Sequence, residues 1–205
     1  MLDTYKFIEK YKRISIIGME KNVGKTTLLN KLIADIGKTK KLGLTSIGRD
    51  GEDIDVVTNT DKPRIYVREG SIIATGRDCL SKCDITKEIL YVTNFTTPMG
   101  SIVLVRALSD GYVDIAGPSY NKQVKIIVEL MEKFGSEISI VDGALGRKST
   151  AISDVSEATI LSTGAALSVD MQKVIDETQK AVYFLRLEEI DKNIKEKIKE
   201  FKDEK

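Results

Sequence analysis

The chain has 205 residues, with 32 Lys and Arg against 31 Asp and Glu and no histidine. A formal net charge of +1 leaves no broad basic surface for nucleic acid, and the missing histidine excludes His-based triads and imidazole-ligated zinc. With two cysteines, no apolar run long enough to span a bilayer and no signal-peptide core, the expectation is one cytoplasmic, membrane-free domain over 1–205.

Residues 1–12 read as a short amphipathic helix, with Leu2, Tyr5, Phe7, Ile8 and Tyr11 offering apolar contacts. A strand is predicted at 13–17 and a helix at 24–36. Between them runs Gly18-Met19-Glu20-Lys21-Asn22-Val23-Gly24-Lys25-Thr26-Thr27. An apolar strand entering a turn that ends in Gly-Lys-Thr and continues as a helix is the arrangement of a phosphate-binding loop. Backbone N–H groups from Asn22 to Thr27 would face a polyphosphate, where aligned peptide dipoles favour negative charge. Gly24 lets the backbone approach closely, Lys25 reaches terminal phosphates, and the Thr26 hydroxyl can ligate Mg2+. Five residues separate Gly18 from Gly24, where the usual pattern has four. Either Met19 replaces the first glycine or the loop is one residue longer, and the second reading is preferred.

A basic turn at 37–41 leads to a strand at 42–47 and then to the loop Thr45-Ser46-Ile47-Gly48-Arg49-Asp50-Gly51-Glu52-Asp53. At the carboxyl end of a parallel strand, Arg49 could touch phosphate and Asp50 could serve as an acid near the metal. The other reading is a solvated charged turn. Residues 55–74 read as short β segments punctuated by Lys62-Pro63 and Glu69-Gly70-Ser71. A brief helix at 76–83 carries Cys79 and Cys83, read as buried small hydrophobes, with a metal site completed by a partner as the alternative. Strands at 88–95 and 101–108, joined by Thr96-Thr97-Pro98-Met99-Gly100, complete a small antiparallel insertion around 55–108.

A strand at 112–116 passes through Gly117-Pro118-Ser119 into a helix at 121–134, with Ser119 expected as its N-cap and a second anion site at the helix start as the alternative. The apolar strand 138–141 then delivers Asp142-Gly143, a carboxylate placed to orient Mg2+ or its water. Beyond it, Arg147 and Lys148 either neutralise phosphate or face solvent. A strand at 158–162 ends in Ser162-Thr163-Gly164-Ala165, a candidate border for a nucleotide base. A helix begins near 168, and the apolar run 181–185 reads as one more strand. The charged tail 188–205 reads as a helix with Ile190, Ile194, Ile198 and Phe201 on one stripe. Strands alternating with helices imply an α/β fold, a mostly parallel sheet flanked by helices. No Asn-Lys-x-Asp guanine motif occurs, which favours ATP over GTP. The expected catalytic set is Lys25, Asp50 and Asp142, with Thr26, Asp50 and Asp142 around the metal.

The long loop spacing resembles the dethiobiotin synthetase and cobyrinate amidotransferase branch of P-loop NTPases. Glu20 stands where MinD-like relatives carry a signature lysine, so an intersubunit lysine switch is not expected. More widely, the loop together with 43–52, 83–90, 105–112, Ala116-Gly117-Pro118-Ser119 and 141–148 resembles the small P-loop subunit of the lysine 5,6-aminomutase reactivase family. The likeness covers roughly residues 13–174. It implies an amino-acid fermentation setting in which a cobalamin- and pyridoxal-phosphate-dependent aminomutase loses activity during turnover and an ATP-dependent factor restores it. It implies two partners, a MutS-like ATPase subunit and the aminomutase, with Lys25, Thr26 and Asp142 serving ATP and Mg2+. The alternatives are a dethiobiotin-synthetase-like ligase and a non-catalytic nucleotide-dependent adaptor for cofactor delivery. Oligomeric state stays open, a homodimer included.

Overall fold

A computed structural model describes residues 7–47, 54–55, 60–61, 64–143 and 155–187. In chain order the elements are β1 (Arg13–Gly18), α1 (Lys25–Ile36), β2 (Leu42–Ser46), β3 (Ile54–Asp55), β4 (Thr60–Asp61), β5 (Ile65–Val67) and β6 (Ile72–Gly76). A 3-10 helix (Arg77–Lys82) follows, then β7 (Lys87–Thr97), β8 (Gly100–Ala107), β9 (Gly111–Val113), α2 (Asn121–Lys133), β10 (Ile138–Asp142), β11 (Ala158–Ser162) and α3 (Met171–Leu185).

The strands build a seven-stranded mixed sheet in the order β11-β1-β10-β2-β6-β8-β7. Its first five strands are parallel, and β8 runs antiparallel to both β6 and β7. Strand residues alternate between two apolar layers, as the two-residue period of a pleated strand requires. Ile14, Ile16, Leu44, Ile73, Val105 and Ile140 face the layer that holds Leu29, Leu32, Ile33 and Ile36 of α1. Ile72, Ala74, Ile102, Leu104 and Val141 face the layer that holds Val124, Ile127, Val128 and Met131 of α2. Both faces of the sheet are therefore covered, which is why its central strands read as nearly continuous apolar runs. Each fully buried Ile or Leu contributes about 1.5–3 kcal/mol relative to exposure. Among the described residues no helix is long and apolar enough to cross a membrane.

Three expectations are corrected. The antiparallel segment around 55–108 is not a separate insertion throughout: β6, β8 and β7 continue the main sheet, while β5 pairs with β9 in a small ribbon. That ribbon is held to α1 by Asn30, whose side chain donates to the Arg64 carbonyl at 3.2 Å and accepts from the Tyr66 N–H at 3.1 Å. The apolar run 181–185 is the last turn of α3, not a strand. Helical hydrogen bonding continues through it, and the Arg186 N–H caps it on the Val182 and Tyr183 carbonyls. The N-cap of α2 is Tyr120, not Ser119, and no side chain closes that helix end. Residues 7–8 are helical, with Ile8 buried against the core, whereas the expected helical stretch 1–6 and the tail 188–205 lie outside the described residues.

Candidate functional site

Chain connectivity places the site. From β1 the chain moves two places along the sheet to β2, and from β10 it moves two places the other way to β11. A reversal of direction between adjacent strands marks the usual ligand position in open α/β sheets, beyond their carboxyl ends. At that edge Ile16 pairs with Asp142, Asp142 pairs with Ser46, and Gly18 pairs with Ser162. The Gly143 N–H donates to the Ile16 carbonyl at 2.9 Å, and the Met19 N–H donates to the Ser162 carbonyl at 2.9 Å. The loop after β1 is thereby pinned between the ends of β10 and β11.

Residues 19–24 curl from β1 into α1. Asn22 and Gly24 both take left-handed backbone, at φ 59° and 85°, a region that glycine enters without steric cost and asparagine tolerates. Gly24 is the N-cap of α1 and supplies no side-chain cap, and no acid stands in the first turn. The first N–H groups of a helix have no intrahelical acceptor, so those of Lys25, Thr26 and Thr27 are free to meet an anion. Lys25 folds back over the end of β1, where a Cβ at Gly18 would lie 2.5 Å from its Nζ and 2.8 Å from the Val23 side chain. Glycine at 18 is therefore required for this lysine to reach its position. The Lys25 ammonium donates to the Glu20 carbonyl at 3.0 Å.

Asp142, at the tip of β10, retains a window to solvent but is closely surrounded by protein. Desolvation pushes its carboxyl up to about 6 from an ordinary 3.8, and the Lys25 charge pulls in the opposite direction. Among the described residues its side chain makes no hydrogen bond. A desolvated carboxylate without hydrogen bonds, on the same sheet edge as the Thr26 hydroxyl, suits a hard divalent cation such as Mg2+. Among the described residues no cluster of three acidic or cysteine side chains exists to bind a metal by itself. Mg2+ commonly takes one or two protein ligands and completes its shell with phosphate oxygens and water, so a sparse donor set fits.

The structure thus brings together Asn22, Val23, Gly24, Lys25, Thr26, Thr27 and Asp142 at one crevice. Arg49 and Asp50, and with them Arg147 and Lys148, lie outside the described residues. Cys79 is fully buried and Cys83 partly so, neither is in a disulfide, and burial pushes the Cys83 thiol up. Ser46 has a role the motif reading did not reveal. Its Oγ accepts the Gly117 N–H at 2.9 Å, while Thr75 Oγ1 accepts the Ala116 N–H at 2.9 Å and donates to the Asp114 carbonyl at 3.0 Å. These hydroxyls stitch 114–117 across the ends of β2 and β6, carrying the uncapped start of α2 to the same edge of the sheet. The only sequence signal was a small hydroxyl residue at each strand tip. Thr163, within the segment 162–165 expected to border a base, shares a hydrogen bond with Thr178 of α3 at 2.9 Å.

No protein-family model, curated protein or solved structure matches the chain.

Proposed function

We propose that this chain is a Mg2+-dependent ATP-binding and ATP-hydrolysing subunit of a P-loop NTPase kind. The observation that supports it is the left-handed, uncapped turn at 22–24, which directs the first N–H groups of α1 and the Lys25 ammonium to one crevice beside Asp142. Lys25 would neutralise terminal phosphate charge as it moves off the Glu20 carbonyl, and the α1 N-terminus would hold the phosphate oxygens. Thr26 and Asp142 would hold Mg2+, which would supply charge neutralisation to the phosphates. Binding the cation would keep Asp142 ionised, offsetting the desolvation that otherwise favours its proton.

The task that hydrolysis serves is proposed from the sequence resemblance: reactivation of a cobalamin-dependent aminomutase of the lysine 5,6-aminomutase type, together with a MutS-like ATPase subunit, in the cytoplasm. The test is ATP hydrolysis by the purified protein, alone and with the large subunit and an inactivated aminomutase. Stimulation by the inactivated holoenzyme, with recovery of mutase turnover, is the expected result. Turnover of a small carboxylate or amine without any protein partner would redirect the reading to a ligase. Nucleotide binding without turnover under all conditions would redirect it to an adaptor.

A further inference from the structure

Glu20 is the single acid between Arg13 and Asp35, a stretch that otherwise carries Lys21, Lys25 and Lys31. It lies inside the loop and engages Lys25, one of the donors that the loop would present to an anion. Its carboxylate Oε1 accepts the Lys21 N–H at 2.9 Å, and its main-chain carbonyl accepts the Lys25 ammonium at 3.0 Å. Lys25 in turn lies against Gly18 at the end of β1, so Glu20 holds the lysine over the strand end from which the loop departs. A polyphosphate arriving here competes with the Glu20 carbonyl for the Lys25 ammonium and meets the like charge of the Glu20 carboxylate within the loop.

We propose that Glu20 makes this site selective for metal-complexed over metal-free nucleotide; the inference rests on the nucleotide reading of the loop. Metal-free ATP carries about four negative charges near neutral pH, and a bound divalent cation removes about two of them. The repulsion from a carboxylate a few ångströms away falls with the charge of the arriving group. The carboxylate therefore penalises the metal-free ligand most, and the cation that Thr26 and Asp142 would share relieves that penalty. Glu20 is a specificity residue in this account. It neither attacks nor transfers a proton.

The test is Glu20→Gln, a near-isosteric change that removes the charge and keeps the backbone carbonyl. ATP affinity is measured by calorimetry for wild type and variant, with excess Mg2+ and with EDTA. Metal-free ATP is expected to bind the variant about tenfold more tightly, the effect of one charge at short range near a surface, while Mg·ATP changes by no more than about threefold. Raising the salt concentration shrinks the gap between the two proteins, because the interaction is an exposed one. Glu20→Asp, which retains the charge, keeps the wild-type discrimination. Equal tightening with and without Mg2+, or none, overturns the proposal, and so does loss of discrimination in Glu20→Asp. If wild type binds ATP under neither condition, the nucleotide reading itself fails; if it binds and the Glu20→Gln profile is flat, only the role of Glu20 fails.

Discussion

Helices α1 and α3 are both amphipathic, of 12 and 15 residues, and the fold uses them in opposite ways. α1 buries Leu29, Leu32, Ile33 and Ile36, whereas α3 buries none of its residues and leaves Ile175 41 % and Phe184 66 % exposed. The difference lies in what each helix crosses. α1 belongs to the β1-to-β2 connection and lies over three parallel strands, β1, β10 and β2. α3 follows β11, the edge strand, and no described strand lies beyond it. A helical period therefore locates an apolar stripe without saying whether the stripe is covered. The covered helix is also the one that begins at the candidate phosphate-binding loop.

Replacing Leu32 with Ala should have the largest effect, a loss of about 2–5 kcal/mol in denaturant unfolding, because its neighbours cannot collapse into the space. A small loss would show that the α1 layer is loosely packed and erase the contrast with α3. Lys25→Ala, at the start of the same helix, should weaken ATP binding on the order of 100-fold, the value of a charged hydrogen bond of roughly 1.5–3 kcal/mol, with the melting temperature little changed. Calorimetry and a thermal melt on the same sample separate the two outcomes.

Asp142 connects stability to pH. Its carboxyl is raised to about 6 in the folded protein against an ordinary 3.8, so between these values the folded state binds more protons than the unfolded one. Stability therefore falls as pH rises from about 4 through about 6 and levels off above. Asp142→Asn should flatten that slope and stabilise the metal-free protein near pH 7.5 by roughly 1–2 kcal/mol, while weakening Mg2+-dependent ATP binding. Unfolding curves from pH 4 to 8 decide it, and a slope that survives the substitution would assign the pH dependence elsewhere. The smallest effect is expected on α3. Val182→Ala should change stability by no more than about 0.5 kcal/mol, as for other surface positions, and a loss comparable to that of Leu32→Ala would show that α3 is covered in solution.

Much of the fold was legible because its signals are local. β11 was expected at the bounds it has, 158–162, and α2 within one residue of its end, since apolar spacing and flanking turns encode both. The turn between β1 and α1 was legible for the same reason: an apolar strand, a glycine at a left-handed position and a helical period follow one another within one short segment. The run 181–185 was misread because a short apolar stretch suits a strand or a helix equally, and only its continuation from Met171 distinguishes them. Ser119 was misassigned as a cap because the stitching of 114–117 by Ser46 and Thr75 sets where the chain turns into α2, and that depends on strands remote in sequence.

The sequence by itself determined that strands alternate with helices, that an α/β sheet would form, and that the turn between β1 and α1 would expose helix N–H groups beside a lysine. The tertiary structure alone decided the strand order, the placing of Asp142 within reach of the Lys25 charge, and the burial that raises its carboxyl. It also decided that α1 is covered while α3 is exposed. The physical reason is one of range. Dihedral preferences and apolar periods act over a few residues, whereas desolvation and pairing depend on which distant strand comes to lie alongside.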